Sequence, residues 1–303
     1  MSFEKRMYIS LFSVACFWGT SWSVSKIGLR ELSPVHLAVL RFILASIIFF
    51  CLVKLFYRDY VIEKEDRKWL WILGFLGVIL YFFIQYYGLD MTTTVNSSIL
   101  IATSPIFTIF LSAKLFHQEK LNYSDLLGVL IAFLGVFLVF TAGKGISIGR
   151  STIYGDLLLL LNSLVWALFT VLGKNLVDKY DPFVVMAYIN IYATITVLPI
   201  AFTPAFINSV KAASITTWAA VLYLAVFCSV YSYYMWYKGI KTIGAPKTAV
   251  FNYVNPMVAV IIGIILLKED WNIYTIIGGI LVFIGVYVTS SRKDDEIIET
   301  VDS

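Results

Sequence analysis

The side chains of this sequence that could do chemistry are mostly amides, indoles and phenols, and their spacing points to binding rather than bond breaking. Asn252 and Asn255 stand three residues apart just before Pro256, while Asn96, Ser97, Ser98, Thr103 and Ser104 gather around Pro105. A proline within a helix removes a ladder hydrogen bond and frees a carbonyl, which hydroxyls, amides or a bound molecule can satisfy. The alternative is a packing kink whose freed groups are taken up by neighbouring helices. Gln85 follows Tyr81 by four residues, so the two share a helical face. Asn162, Trp18 and Trp166 stand mid-way along apolar stretches, too deep for an interfacial aromatic belt, and Arg41 lies seven residues into another such stretch.

The candidate binding residues are therefore Trp18, Arg41, Tyr81, Gln85, Asn96, Asn162, Trp166, Asn252 and Asn255, with Pro105 and Pro256 as helix breaks. Each has a structural alternative: an interhelical hydrogen bond for Asn162, core packing for the tryptophans, snorkelling or a helix-end contact for Arg41. Catalysis is not expected. His36 and His117 stand far apart with no companion nucleophile or carboxylate cluster, so neither a metal nor a cofactor is expected.

Composition says what must position these groups. The chain has 303 residues, 60% hydrophobic and 14% charged, with mean hydropathy +0.85. Ordinary soluble domains are about 45–50% apolar and about 25% charged. A bilayer's hydrocarbon region, about 30 Å thick, is crossed by about 20 apolar residues of helix. Ten such spans are predicted: Tyr8 to Gly28, Pro34 to Phe56, Trp69 to Leu89, Thr93 to Phe116, Leu126 to Thr141, Tyr154 to Lys174, Pro182 to Phe206, Thr217 to Gly239, Thr248 to Leu267 and Ile273 to Ser290. The connections are too short for a soluble domain, and the first span runs a full membrane width without a cleavage site, so it is not a signal peptide. Cys16, Cys51 and Cys228 fall inside spans as small packing residues.

The net charge of +4 lies in short loops and reports topology rather than a nucleic-acid partner. Sixteen of the 23 Lys and Arg residues fall in loops on the N-terminal side and five on the other, with Lys26 and Arg41 inside spans. Both termini are thus predicted cytoplasmic, in a plasma (bacterial inner) membrane. Arg41 then sits about 10 Å below the external end, where a charge costs about 2.5–3.5 kcal/mol on insertion scales and needs water or a partner. No Asp or Glu lies in the middle third of a span, so facilitative transport or exchange is expected over proton coupling.

An internal repeat organises the chain. Trp18 and Lys26 match Trp166 and Lys174, and Pro34 matches Pro182, at an offset of 148. Gly88 and Pro105 match Gly239 and Pro256 at 151, and Glu119, Asn122, Gly128 and Gly135 match Glu269, Asn272, Gly278 and Gly285 at 150. Each unit holds five spans, an odd number, so the second enters the membrane from the opposite side. The fold class is an all-α polytopic membrane protein, ten helices in two inverted five-helix repeats at residues 8–141 and 154–290, with a cytoplasmic tail at 291–303. Inverted repeats with a site between them are the architecture of many secondary transporters.

The stretch from Gly244 to Trp271, its counterpart from Thr92 to Leu121, WGTSWSVSK in the first span and PVHLAVLRF in the second resemble EamA-type members of the drug/metabolite transporter superfamily. The likeness runs from Phe17 to Val288 and includes bacterial exporters of amino acids and metabolites. It implies ten helices, two EamA repeats, cytoplasmic termini and transport or export of amino acids and related metabolites. Position 189, equivalent to Arg41, is isoleucine, so any role of Arg41 is asymmetric between halves. The expected function is alternating-access carriage of small metabolites, with amino acids, aromatic ones included, first. Vitamins, nucleoside-like or drug-like cargo are the alternative, and a channel or membrane enzyme the different-class alternative. The partners expected are a small-molecule substrate and the lipid bilayer, with oligomeric state open.

Overall fold

Ser33 and Asp181 begin two long helices in the same way. Each side chain caps its helix, accepting from the His36 N–H at 3.2 Å and the Phe183 N–H at 2.8 Å respectively, and each is followed by a proline that needs no donor there. The structure, a computed structural model, describes residues 3–58, 60–91, 100–115, 123–141, 153–258, 261 and 273–290. Every element among them is helical. The first span is Phe3–Gly28, the second Pro34–Phe56, the sixth Ile153–Lys179 and the seventh Pro182–Ala201.

The third and eighth spans share an unusual feature. Arg67–Gly74 passes through a π turn at Phe75–Leu80 into Tyr81–Met91, and Ile215–Tyr223 passes through one at Leu224–Tyr231 into Ser232–Ile243. Such turns re-aim side chains and recur at functional sites. The fourth span resumes as Ser104–Leu115 after a turn at 102–103, with Pro105 in its first turn. The ninth opens at Gly244, whose φ of 82° suits glycine, and runs Ala245–Ala249, a 3-10 turn Val250–Tyr253, then 254–258, which holds Pro256. Tyr123–Thr141 and Ile273–Ser290 are the fifth and tenth.

Five described helices are long and apolar enough to cross a bilayer: Pro34–Phe56, Arg67–Gln85, Ile153–Lys179, Pro182–Ala201 and Ile215–Ile243. The seventh span stops earlier than the sequence suggests. Its chain turns at Phe202, after Pro199, and Thr203 caps a separate short helix Pro204–Ala212 by accepting from the Phe206 N–H at 3.3 Å.

Packing follows the repeat. The second span packs on the seventh, the first on the eighth and the third on the sixth, while the fifth and tenth form a close pair. That pair meets through glycines: a Cβ at Gly135 would come 2.5 Å from the Gly278 carbonyl oxygen, and one at Gly128 would come 2.7 Å from that of Gly285. Backbone contact of this kind holds helices together in lipid, where apolar side chains gain nothing from leaving water. Trp236, Tyr237, Tyr253, Phe49 and Phe169 are fully buried in the interior, while Leu55, Phe56, Phe202 and Ile215 project outward.

Candidate functional site

Trp18 and Trp166, equivalent in the two repeats, meet edge to face with ring centroids 5.4 Å apart. Each also packs against Trp236 and Tyr233, and Tyr81 lies 5.0 Å from Trp166. The aromatic cluster thus joins the first, third, sixth and eighth spans between the halves. Trp18 is anchored by its indole N–H, which donates to the Cys228 carbonyl at 3.0 Å, while the buried Trp166 indole N–H has no partner among the described residues.

Amides adjoin the rings. Gln85 is buried and donates to the Tyr81 hydroxyl at 3.4 Å. Tyr81 meets Trp166, and Gly88 lies against Leu159 in the antiparallel third and sixth spans, which brings Gln85 level with Asn162. Asn162 is 0% exposed, and among the described residues neither its Oδ1 nor its Nδ2 finds a partner. Buried polar atoms in folded proteins are nearly always satisfied, so this amide is a candidate binding group.

Asn252 and Asn255 stand together in the ninth span, half-buried, with Asn255 Nδ2 donating to Asn252 Oδ1 at 3.3 Å and Asn255 Oδ1 unpaired among the described residues. The Asn255 carbonyl faces Gly19 next to Trp18, since a Cβ there would come 2.8 Å from it. Asn96 lies outside the described residues. At the Pro105 break, the Leu100 carbonyl is satisfied by the Ser163 hydroxyl of the sixth span at 2.7 Å and by Thr103 at 2.6 Å, a packing arrangement.

Arg41 does not snorkel. It is 8% exposed, donates from Nε to Ser229 Oγ at 2.8 Å, and places its guanidinium 5.5 Å from the Phe42 ring and 5.3 Å from the Phe82 ring. Lys174 pairs with Asp178 at 3.1 Å near the end of its helix.

Both ends of the molecule are bridged across the repeats, by equivalent residues. At one end Glu31 accepts from the Ser214 N–H at 2.7 Å, and at the other Lys179 pairs with Asp66 at 3.1 Å. Glu31 is equivalent to Lys179 and Ser214 to Asp66, both at the offset of 148. The Tyr180 hydroxyl donates to Asp66 at 2.8 Å, and the Tyr60 hydroxyl accepts from the Asp181 N–H at 2.6 Å. The bond from Tyr180, aided by Lys179 and opposed by burial, holds the Asp66 carboxyl below its ordinary range. The Ser214 N–H, with the Thr217 and Ser214 hydroxyls, does the same for Glu31. Beside the Asp66 end lies a recess of about 480 Å³ lined by Leu52, Phe56, Tyr57, Phe183 and Tyr234.

Tyr233, Trp236 and Ser229 adjoin the candidate site and were not candidates from the sequence. Trp236 was findable, since it occupies the position equivalent to Gln85 at offset 151. Among the described residues no three His, Cys, Asp or Glu side chains gather as a metal site.

The sequence profile of the EamA-like transporter family matches twice, over residues 5–141 and 153–291. The chain belongs to the EamA-like transporter family. With that comes membership of the drug/metabolite transporter superfamily and its multi-pass fold of two inverted repeats. An uncharacterized transporter of Archaeoglobus fulgidus is 33% identical over 292 residues, covering 96% of this chain and 99% of its own. The uncharacterized transporter YetK of Bacillus subtilis is 30% identical, covering 96% and 89%. A solved structure at 16% identity superposes with a TM-score of 0.79 over 94% of this chain and 96% of its own, which shows a shared fold. This EamA-like chain is a membrane transporter of small molecules.

Proposed function

We propose that this EamA-like transporter exports amino acids, aromatic ones included, across the plasma membrane by alternating access, with both termini in the cytoplasm and residues 8–141 and 154–290 as the two moving repeats. The observation that carries this is the amide of Asn162, 0% exposed and without a partner among the described residues, beside the Trp18, Trp166 and Tyr81 rings. Indoles stack on aromatic side chains, and neutral amides replace water around a zwitterion. The two end bridges support a gating role, because each ties one repeat to the other and one must open at a time. Transport is facilitative or exchange, for want of a mid-span carboxylate among the described side chains.

The test is efflux of radiolabelled phenylalanine and tryptophan from proteoliposomes. Saturable efflux accelerated by unlabelled amino acid on the opposite side supports the proposal. Flux that rises linearly with concentration indicates a channel, and saturable flux of a nucleoside or vitamin without amino acid flux replaces the substrate class. Uphill accumulation driven by an imposed pH gradient alone overturns the facilitative assignment. Direction of insertion is read from single cysteines in a variant lacking Cys16, Cys51 and Cys228: one at Lys211 reacts with impermeant reagents from outside and one at Glu63 does not.

A further inference from the structure

Arg41 carries a buried positive charge for which the described residues hold no carboxylate. Its one polar contact among them is the neutral Ser229 hydroxyl, and the ion pairs of the described chain lie elsewhere, at Lys174 with Asp178 and Lys179 with Asp66. The two phenylalanine faces stabilise a cation without neutralising it. A guanidinium has five N–H donors in a planar fork, and Nε alone is engaged here. A charge held at membrane depth in that condition calls for an anion.

The surroundings say which anion. Arg41 borders a narrow crevice with Ser25, Leu37, Phe82 and Leu224. Phe82 touches Arg41 on one side and Tyr81 on the other, with ring centroids 5.1 Å apart, and Tyr81 holds Gln85. Ser229 adjoins Cys228, whose carbonyl receives the Trp18 indole. One cation with aromatic walls fits a planar monoanion, which a guanidinium grips through two parallel hydrogen bonds. The equivalent position in the second repeat is Ile189, buried and apolar, so this anion grip exists on one side of the pseudo-symmetric site.

We propose that Arg41 recognises a carboxylate of the transported compound, which fixes the substrate class as organic monoacids and amino acids carried with the acid ionised and directed toward the Glu31 end. This rests on the aromatic and amide cluster being the substrate site.

The experiment uses matched pairs that differ only at the acid: phenylalanine and phenylalaninamide, tryptophan and tryptophanamide, 3-phenylpropionate and 3-phenylpropanamide. Thermal stabilisation of the purified full chain reads binding, because a ligand selective for the folded state raises its melting temperature. The acids raise it and the amides do not. Arg41→Gln weakens acid binding about ten- to hundredfold, the worth of a charge-assisted bond, and Arg41→Lys keeps part of it as a point charge. Unliganded Arg41→Gln melts no earlier than the parent, since it removes an unneutralised charge. Equal response to acids and amides, no response to any acid, or acid binding by Arg41→Gln at parental affinity overturns the proposal. The comparison of pairs in the parent needs no variant to fold. Acids and amides bound alike, with both lost in Asn162→Ala, would remove Arg41 and leave the cluster standing; acids lost in Arg41→Gln but untouched by Asn162→Ala and Gln85→Ala would move the site away from the cluster.

Discussion

The Ser46 and Thr194 hydroxyls lie 2.8 Å apart, and the two residues are equivalent positions of the two repeats. Equivalent residues touch only where the pseudo-two-fold axis passes, so this contact and the Trp18 to Trp166 contact locate the axis between the second and seventh and between the first and sixth spans. Ser46 also donates to Asn190 Oδ1 at 2.9 Å, and Thr194 donates to the Phe42 carbonyl at 3.2 Å.

Ser46→Ala leaves the Asn190 amide with no side-chain partner among the described residues, because its Nδ2 is already unpaired there. Interhelical hydrogen bonds in membranes contribute about 0.6 kcal/mol on average and up to about 1.7. The expected result is a melting temperature lower by a few degrees with substrate affinity unchanged, read by thermal unfolding and ligand titration on the same preparation.

The glycine crossing of the fifth and tenth spans makes a sharper prediction, with a built-in control. A Cβ at Gly135 meets the Gly278 backbone, which cannot rotate away, whereas one at Gly279 meets nothing within 4 Å. Gly135→Ala costs about 1–3 kcal/mol through overpacking. Gly279→Ala is neutral or stabilising by about 0.4–1 kcal/mol, since alanine restricts the unfolded chain. Equal melting shifts for the two variants would contradict the crossing.

The Asp66 bridge has a defined pH window. Its carboxyl is held below the ordinary value of 3.8, chiefly by the Tyr180 hydroxyl, so the contribution is fully present above that value and lost as pH falls through the lowered one. Between pH 5 and 8 the bridge is constant. Spin labels at Lys64 and Asn175 should report one distance across that range, and Asp66→Asn should lengthen and broaden it at neutral pH. A distance that changes between pH 5 and 8 in the parent would show that another group controls this end.

How much of this was legible in the sequence depends on what each feature rests upon. Apolar spans and the repeat are local and periodic, so composition and the offset of Trp18 to Trp166 gave the helical fold and its inversion before any coordinate. The third and eighth spans read as plain apolar stretches, because a π turn depends on long-range packing and leaves no mark on hydropathy. Gln85 and Asn162 stood out as amides in lipid-depth sequence, but that both atoms of one lack a partner is a tertiary fact. Tyr233 was hidden among 19 tyrosines, where residue type alone could not separate cluster from surface, whereas Trp236 could be reached through its repeat equivalence to Gln85. The end bridge of Glu31 and Ser214 joins residues 183 apart through a backbone N–H, for which no side-chain pattern exists.

Asn162 and Asn190 together separate a binding amide from a structural one. Both are buried in mid-span, at 0% and 1% exposure, and both are asparagine, so their intrinsic cost in the membrane is the same. They differ in what they hold. Asn190 Oδ1 receives Ser46, whereas Asn162 has no hydrogen-bond partner among the described residues. Removing an amide that has a partner strands that partner, while removing one that has none relieves a buried polar group and leaves only a small void. Asn190→Ala should therefore melt earlier with amino acid affinity near parental. Asn162→Ala should melt close to the parent while affinity for phenylalanine falls several-fold, since each lost hydrogen bond to the ligand is worth about 1 kcal/mol. The diagnostic is the ratio of the two effects across the pair. If Asn162→Ala melts as early as Asn190→Ala and binds with parental affinity, Asn162 serves the bundle and the proposed site lies elsewhere.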